Sequence, residues 1–200
     1  EKIRGELPVE HMAADMAALM DACGFAGPAN LVGTALGGGI AVAFAARYPG
    51  RVKRLVISSP ACGGGQASVD MLLTRAEGVE RDGMRPFADP SLARSYPEPY
   101  RTDAAFFDQY RNRWICNDPA SFASHNRMLA RMDETVNFAR IACPTLVLSA
   151  TDDPLRTPEA VKQIADAIPD SEYRELASGH FLPVYSPDLW AETVLPFVSA

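Results

Sequence analysis

Three places in this 200-residue chain carry groups, or the frame for groups, that could act together on a carbonyl. The first is Leu31-Val32-Gly33-Thr34-Ala35-Leu36-Gly37-Gly38-Gly39, where an apolar run ends in a glycine-flanked turn. A small-residue helix, Ile40 to Tyr48, follows at once. Strand, tight turn and helix in that order form the frame of a Gly-x-Ser-x-Gly nucleophile elbow. Gly33 and Gly37 hold its glycine places, and the serine place holds Ala35, which has no nucleophilic atom. The second place is the acidic turn Asp152-Asp153-Pro154, and the third is Gly179-His180. Ala35, Asp153 and His180 each stand at the carboxyl end of an expected strand. In an open parallel sheet those ends share one rim, where ligands bind. Hydroxyl, imidazole and carboxylate meeting there would make a hydrolytic triad: attacker, proton carrier and orienter of the imidazole. The chain order nucleophile, acid, histidine is one of those in which such triads occur.

The elements that must position these residues alternate. Pro8 to Cys23 reads as an amphipathic helix, with Met12, Met16, Leu19 and Met20 at helical spacing as an expected core stripe. Asn30 to Val32 begins a strand that runs into the elbow, and Ala35 to Tyr48 is the helix behind it. Pro49-Gly50 stops that helix, and Val52 to Ser58 is a second buried strand. Pro60 to Gly65 reads as a mobile hinge; no Lys-[Ser/Thr] follows its glycines, so a phosphate loop is not expected. From about Val69 to Arg140 strand patterns disappear, prolines are frequent, and helices are expected at Ser68–Gly78, Asp103–Trp114 and Pro119–Met132. The aromatics Phe106, Phe107, Tyr110, Trp114 and Phe122 are expected mostly to pack this segment. Pro144 to Ser149 is a strand, and Pro158 to Ile168 a helix with Thr157 as N-cap. Glu172 to Leu176 is a strand and Pro187 to Val198 the last helix. The fold class is α/β: a mostly parallel sheet with helices on both faces and an inserted helical cap. Residues 1–66 and 141–200 form the expected core, and 67–140 the cap.

Composition narrows the function classes. The net charge of −6, with no cluster of Lys or Arg, argues against a nucleic-acid surface. No apolar run approaches the ~20 residues of a membrane span. Cys23, Cys62, Cys116 and Cys143 are scattered, form no CxxC pair and, with three histidines, give no metal spacing. They read as reduced thiols, which points to a cytoplasmic setting. No signal peptide is expected, no metal or other cofactor is implied, and the expected partner is a small-molecule substrate.

Taken together, the three motifs resemble those of the α/β-hydrolase superfamily, of the esterase, lactonase and C–C-bond hydrolase kind. Residues 31–38 resemble its elbow with alanine for serine. Pro144 to Pro154 resembles its acid loop, and Ser178-Gly179-His180-Phe181-Leu182-Pro183 its histidine loop. The segment from Asn117 to Asp133 is similar to caps of the enol-lactonase group. The resemblance implies Asp153 as triad acid, with Asp152 as the fallback, and His180 as base. It implies the backbone N–H of Leu36 as an oxyanion donor, which needs no particular side chain. Without it, Asp-Asp-Pro would be only a capped turn and Gly-His only a surface loop. His11 and His125 read as structural or solvated, and Thr34, beside the apex, is not expected to replace the nucleophile.

Two departures follow. Ala35 reads either as a deliberate Ser→Ala change or as natural loss of the nucleophile, and the intact Asp153 and His180 favour the first. The family also has several strands before the first helix found here. The chain therefore reads as a fragment, or as one that pairs with a complementing chain or a second copy across the exposed edge strand. The activity implied is hydrolysis of a small ester or lactone, disabled by Ala35. The alternatives are a non-catalytic ligand-binding relative and a C–C-bond hydrolase.

Overall fold

The computed structural model describes residues 2, 3, 5, 7–63 and 66–200. The order opens with α1 (Val9–Ala22), β1 (Ala29–Thr34), α2 (Leu36–Arg47) and β2 (Val52–Ser58). Four helices follow: α3 (Gln66–Asp82), α4 (Arg85–Ser95), α5 (Ala104–Ile115) and α6 (Pro119–Arg131). The chain closes with β3 (Thr145–Ala150), α7 (Pro158–Ala167), β4 (Ser171–Leu176), α8 (Leu182–Tyr185) and α9 (Pro187–Ser199). Contacts divide it into two compact units. One contains Val9–Cys62 and Asp133–Ala200; the other contains Gly63–Met132 with the residues up to Pro8.

The first unit holds one parallel sheet in the order β1-β2-β3-β4. Its inner strands are the apolar ones. Every residue of β3 is buried, and so are Leu55, Val56 and Ile57 of β2. Parallel strands covered on both faces read as continuous apolar runs for this reason. The edge strands alternate in burial. Val56, Leu146, Leu148 and Leu176 pack against Leu189, Trp190, Val194 and Phe197 of α9. Helix α2 is buried from Gly38 to Ala46, its glycines and alanines letting it lie close to the sheet. The expected Met12–Met20 stripe is corrected here. The buried residues of α1 are Val9 and Ala13, and Leu19 is 63% exposed. Periodicity marked the apolar side of α1: Met12, Met16 and Met20 are half-buried along it, and Leu19 falls outside it.

The second unit is helical. Asp103 caps α5 by accepting from the Phe106 N–H at 3.0 Å, and Asp118 caps α6 by accepting from the Ser121 N–H at 3.0 Å. Rings meet edge to face at Tyr96–Phe107, Tyr96–Tyr110 and Trp114–Phe122, while Phe106 is 45% exposed. Helix α4 had no counterpart in the sequence reading. It carries Pro90 in its interior, and burial of Ala88 and Leu92 outweighs the one backbone bond that proline removes. The expected hinge is also corrected in part. Pro60, Ala61 and Cys62 are buried, Ala61 and Cys62 are tied down by backbone hydrogen bonds, and Gly64 and Gly65 lie outside the described residues. No described helix is long and apolar enough to cross a membrane. The cysteines are free thiols, Cys62 and Cys143 buried, Cys23 and Cys116 exposed. No described group of His, Cys, Asp and Glu could hold a metal ion.

Candidate active site

The sharp turn between β1 and α2 is built by steric necessity. Ala35 has φ 51° and ψ −120°, a conformation that costs a residue with a Cβ on the order of 1–3 kcal/mol. Its neighbours hold it there. The Ala35 N–H donates to the Ser58 carbonyl at 3.0 Å, and the Ala35 carbonyl accepts from Ala61 N–H at 2.9 Å and Gly38 N–H at 3.0 Å. Beside it, Thr34 and Ser58 share a hydroxyl hydrogen bond of 2.9 Å, which occupies Thr34 away from the apex. Strand and helix cross so tightly that a Cβ on Gly33 would lie 2.4 Å from the Gly37 carbonyl oxygen. A Cβ on Gly38 would lie 2.9 Å from the Pro60 Cβ. Gly37 itself has open space where a side chain would point, so its glycine is not needed for room. Leu36 opens α2, where first-turn N–H groups lack acceptors within the helix.

The acid and histidine loops meet. His180 Nδ1 lies 2.8 Å from Asp153 Oδ2, with Asp153 3% exposed and His180 6%. The loops are pinned to each other by Thr151 N–H to Leu176 O and Asp152 N–H to Ser178 O, at 3.0 and 2.9 Å. Asp153 Oδ1 accepts from the Leu155 and Arg156 N–H groups at 2.8 and 3.0 Å. With Nδ1 facing the carboxylate, Nε2 is the nitrogen left to exchange a proton with a bound molecule. Burial alone would push the Asp153 carboxyl up. The His180 hydrogen bond and charge, the Ser59 hydroxyl and the Leu155 N–H together bring it below the usual carboxylate value. His125, by contrast, turns its Nδ1 to the Ser121 carbonyl of its own helix, 2.8 Å away.

Two residues beside Asp153 were not singled out in the sequence. Ser59 is fully buried at φ 43°, and its hydroxyl has no hydrogen bond of good geometry among the described residues, although it helps hold Asp153 ionised. Its position just past β2, on the same rim as Ala35, was the available signal. Arg156 has its Nε buried without a partner, and burial lowers its pKa while Asp153 and Cys62 raise it. Cys62 is no substitute nucleophile. Burial, reinforced by Glu134, pushes its thiol up to about 12, so almost no thiolate exists at neutral pH.

The comparisons with known proteins bear on the family and the fold. Residues 4–179 match the family described as serine aminopeptidase, S33. A protein of Azorhizobium caulinodans named as a carbamate hydrolase, RutD, is 31% identical over 212 residues, covering 96% of this chain and 74% of that protein. The enol-lactonase of Burkholderia xenovorans LB400 superposes with a TM-score of 0.94 at 28% identity, over 100% of this chain and 76% of its own. A thermophilic esterase of Thermogutta terrifontis gives 0.91 at 26% identity, over 100% and 75%. The chain belongs to the serine aminopeptidase S33 family within the α/β-hydrolase superfamily.

Proposed function

We propose that this chain carries the site of a hydrolase for small carbonyl substrates with a heteroatom leaving group, an ester, a lactone or a carbamate, in a form without its serine. The observation that carries the reading is the buried His180–Asp153 pair, 2.8 Å apart, in a unit that also strains Ala35 into the elbow conformation. The relatives named as carbamate hydrolase, enol-lactonase and esterase support the same substrate chemistry. With a hydroxyl at position 35, Oγ would attack the carbonyl carbon and pass its proton to His180 Nε2. Asp153 would stabilise the imidazolium, and the Leu36 N–H would donate to the tetrahedral oxyanion. His180 would then protonate the leaving group, and water would release the acyl group by the same steps reversed. With Ala35 no acyl-enzyme can form. The remaining route is attack by a water that gives its proton to His180.

The test is Ala35→Ser, assayed on p-nitrophenyl acetate, simple lactones and alkyl carbamates. We expect a rise in turnover of at least about a thousandfold, lost again on adding His180→Ala. No turnover of any of these by Ala35→Ser would overturn the reading. Ala35 itself favours one rival, a ligand-binding relative without catalysis. That rival predicts tight binding of a small carbonyl compound and no gain from the serine.

A further inference from the structure

We propose that Arg75 of α3 and Asn126 of α6 form a binding site for a small carboxylate anion. The two helices pack side by side, and the Arg75 Nε and Nη2 converge on one acceptor, Asn126 Oδ1, at 2.8 and 2.5 Å. Asn126 is 4% exposed, and its own amide N–H donates to the Phe122 carbonyl at 2.7 Å. Both ends of the amide are therefore fixed, and the orientation of the guanidinium with them. The Arg75 guanidinium carbon stands 5.6 Å from the centre of the Phe122 ring. A guanidinium has five N–H donors. Those on Nη1 and the second on Nη2 have no acceptor among the described residues.

No described carboxylate pairs with this half-buried cation. Elsewhere in the same unit Arg81 pairs with Asp82, Arg111 with Asp89 and Arg127 with Glu80. Arg94, at the end of α4, adds to the imbalance. It is exposed, has no ion pair among the described residues, and its charge, after burial, lowers the pKa of Arg75. A partly desolvated cation near a like charge is stabilised by an anion that completes it. The free edge formed by Nη1 and Nη2 is a planar fork, which matches the two oxygens of one carboxylate. Arg94 adds a second positive charge near enough to act on Arg75. This site is separate from the hydrolytic chemistry, and binding at it requires no turnover.

The test titrates the whole chain with sodium propionate, ionic strength held constant with chloride, by calorimetry and thermal unfolding. Saturable binding is expected, with propionamide silent. Arg75→Gln should weaken propionate at least tenfold, and Arg94→Gln several-fold. Asn126→Asp places an internal carboxylate against Arg75. It should abolish the response to propionate, while the loss of the amide N–H that donates to the Phe122 carbonyl offsets any gain in the unfolding midpoint. An equal propionate response in Arg75→Gln overturns the proposal, as does a response that chloride reproduces. Phosphate binding more tightly than propionate overturns the carboxylate assignment. If Arg75→Gln fails to fold, Asn126→Asp decides alone: an unchanged propionate response overturns it. An inactive Ala35→Ser protein that still binds propionate would separate this site from the hydrolytic reading.

Discussion

Asp153 is ionised against its own burial, because His180, Ser59 and the backbone outweigh the loss of water. Its folded pKa is depressed. The stability it contributes is present above the ordinary Asp value of about 3.9 and is lost as pH falls through the folded value. Asp153→Asn should therefore flatten the fall in denaturant midpoint between pH 5 and the acid limb, and an unchanged acid slope would contradict this. In an Ala35→Ser background the same change should cut turnover by about 10⁴-fold, since the amide presents the wrong tautomer to His180. That an acid and a histidine could meet was legible from chain order, since strand ends of one parallel sheet share a rim, but the choice of Asp153 over Asp152 needed the family resemblance. Ser59 was not legible. A serine after an apolar strand looks like any turn residue until the backbone turns it, at φ 43°, toward the carboxylate.

At the scale of elements, the turn between β1 and α2 is where small changes should be felt most. Gly33→Ala puts a Cβ 2.4 Å from the Gly37 carbonyl, a contact that only a backbone shift can relieve. We expect a loss of at least about 2 kcal/mol in urea unfolding. Gly37→Ala is the contrasting control. It meets open space in the first turn of a helix and should be neutral or stabilising by up to about 1 kcal/mol. The reverse ranking would mean that the crossing of β1 and α2 is looser than described. The sequence pattern Gly-x-x-x-Gly marked both residues equally, and only the packed backbone separates them. Strands β2 and β3 were legible because continuous apolar runs have few other uses in a chain of this charge. Helix α4 was not, because Pro86 and Pro90 resemble breaks unless the burial of Ala88 and Leu92 is known.

For the whole molecule, the two sheet edges differ in how they face other chains. β4 carries Glu172, Arg174 and Glu175, with Glu172 and Arg174 joined in an ion pair, charges that discourage further strands from adding. β1 is Ala-Asn-Leu-Val-Gly-Thr, uncharged, with Val32 43% exposed. The 200 residues alone should self-associate, giving a light-scattering mass above that of one chain, and Val32→Lys should reduce it. A monodisperse monomer would count against an adhesive β1. The hydrogen bond from Glu134 N–H to the Cys62 carbonyl, 2.9 Å long, has a different consequence. It closes the base of everything from Gly63 to Asp133, so the sheet sees that long excursion as a single stitched stem. Loop-closure cost grows only slowly with length. A segment closed at such a stem can be shortened, lengthened or exchanged between homologues without redrawing the order of the strands. The helical segment is in that sense a graft, and the rootstock would keep the His180–Asp153 pair through a change of scion.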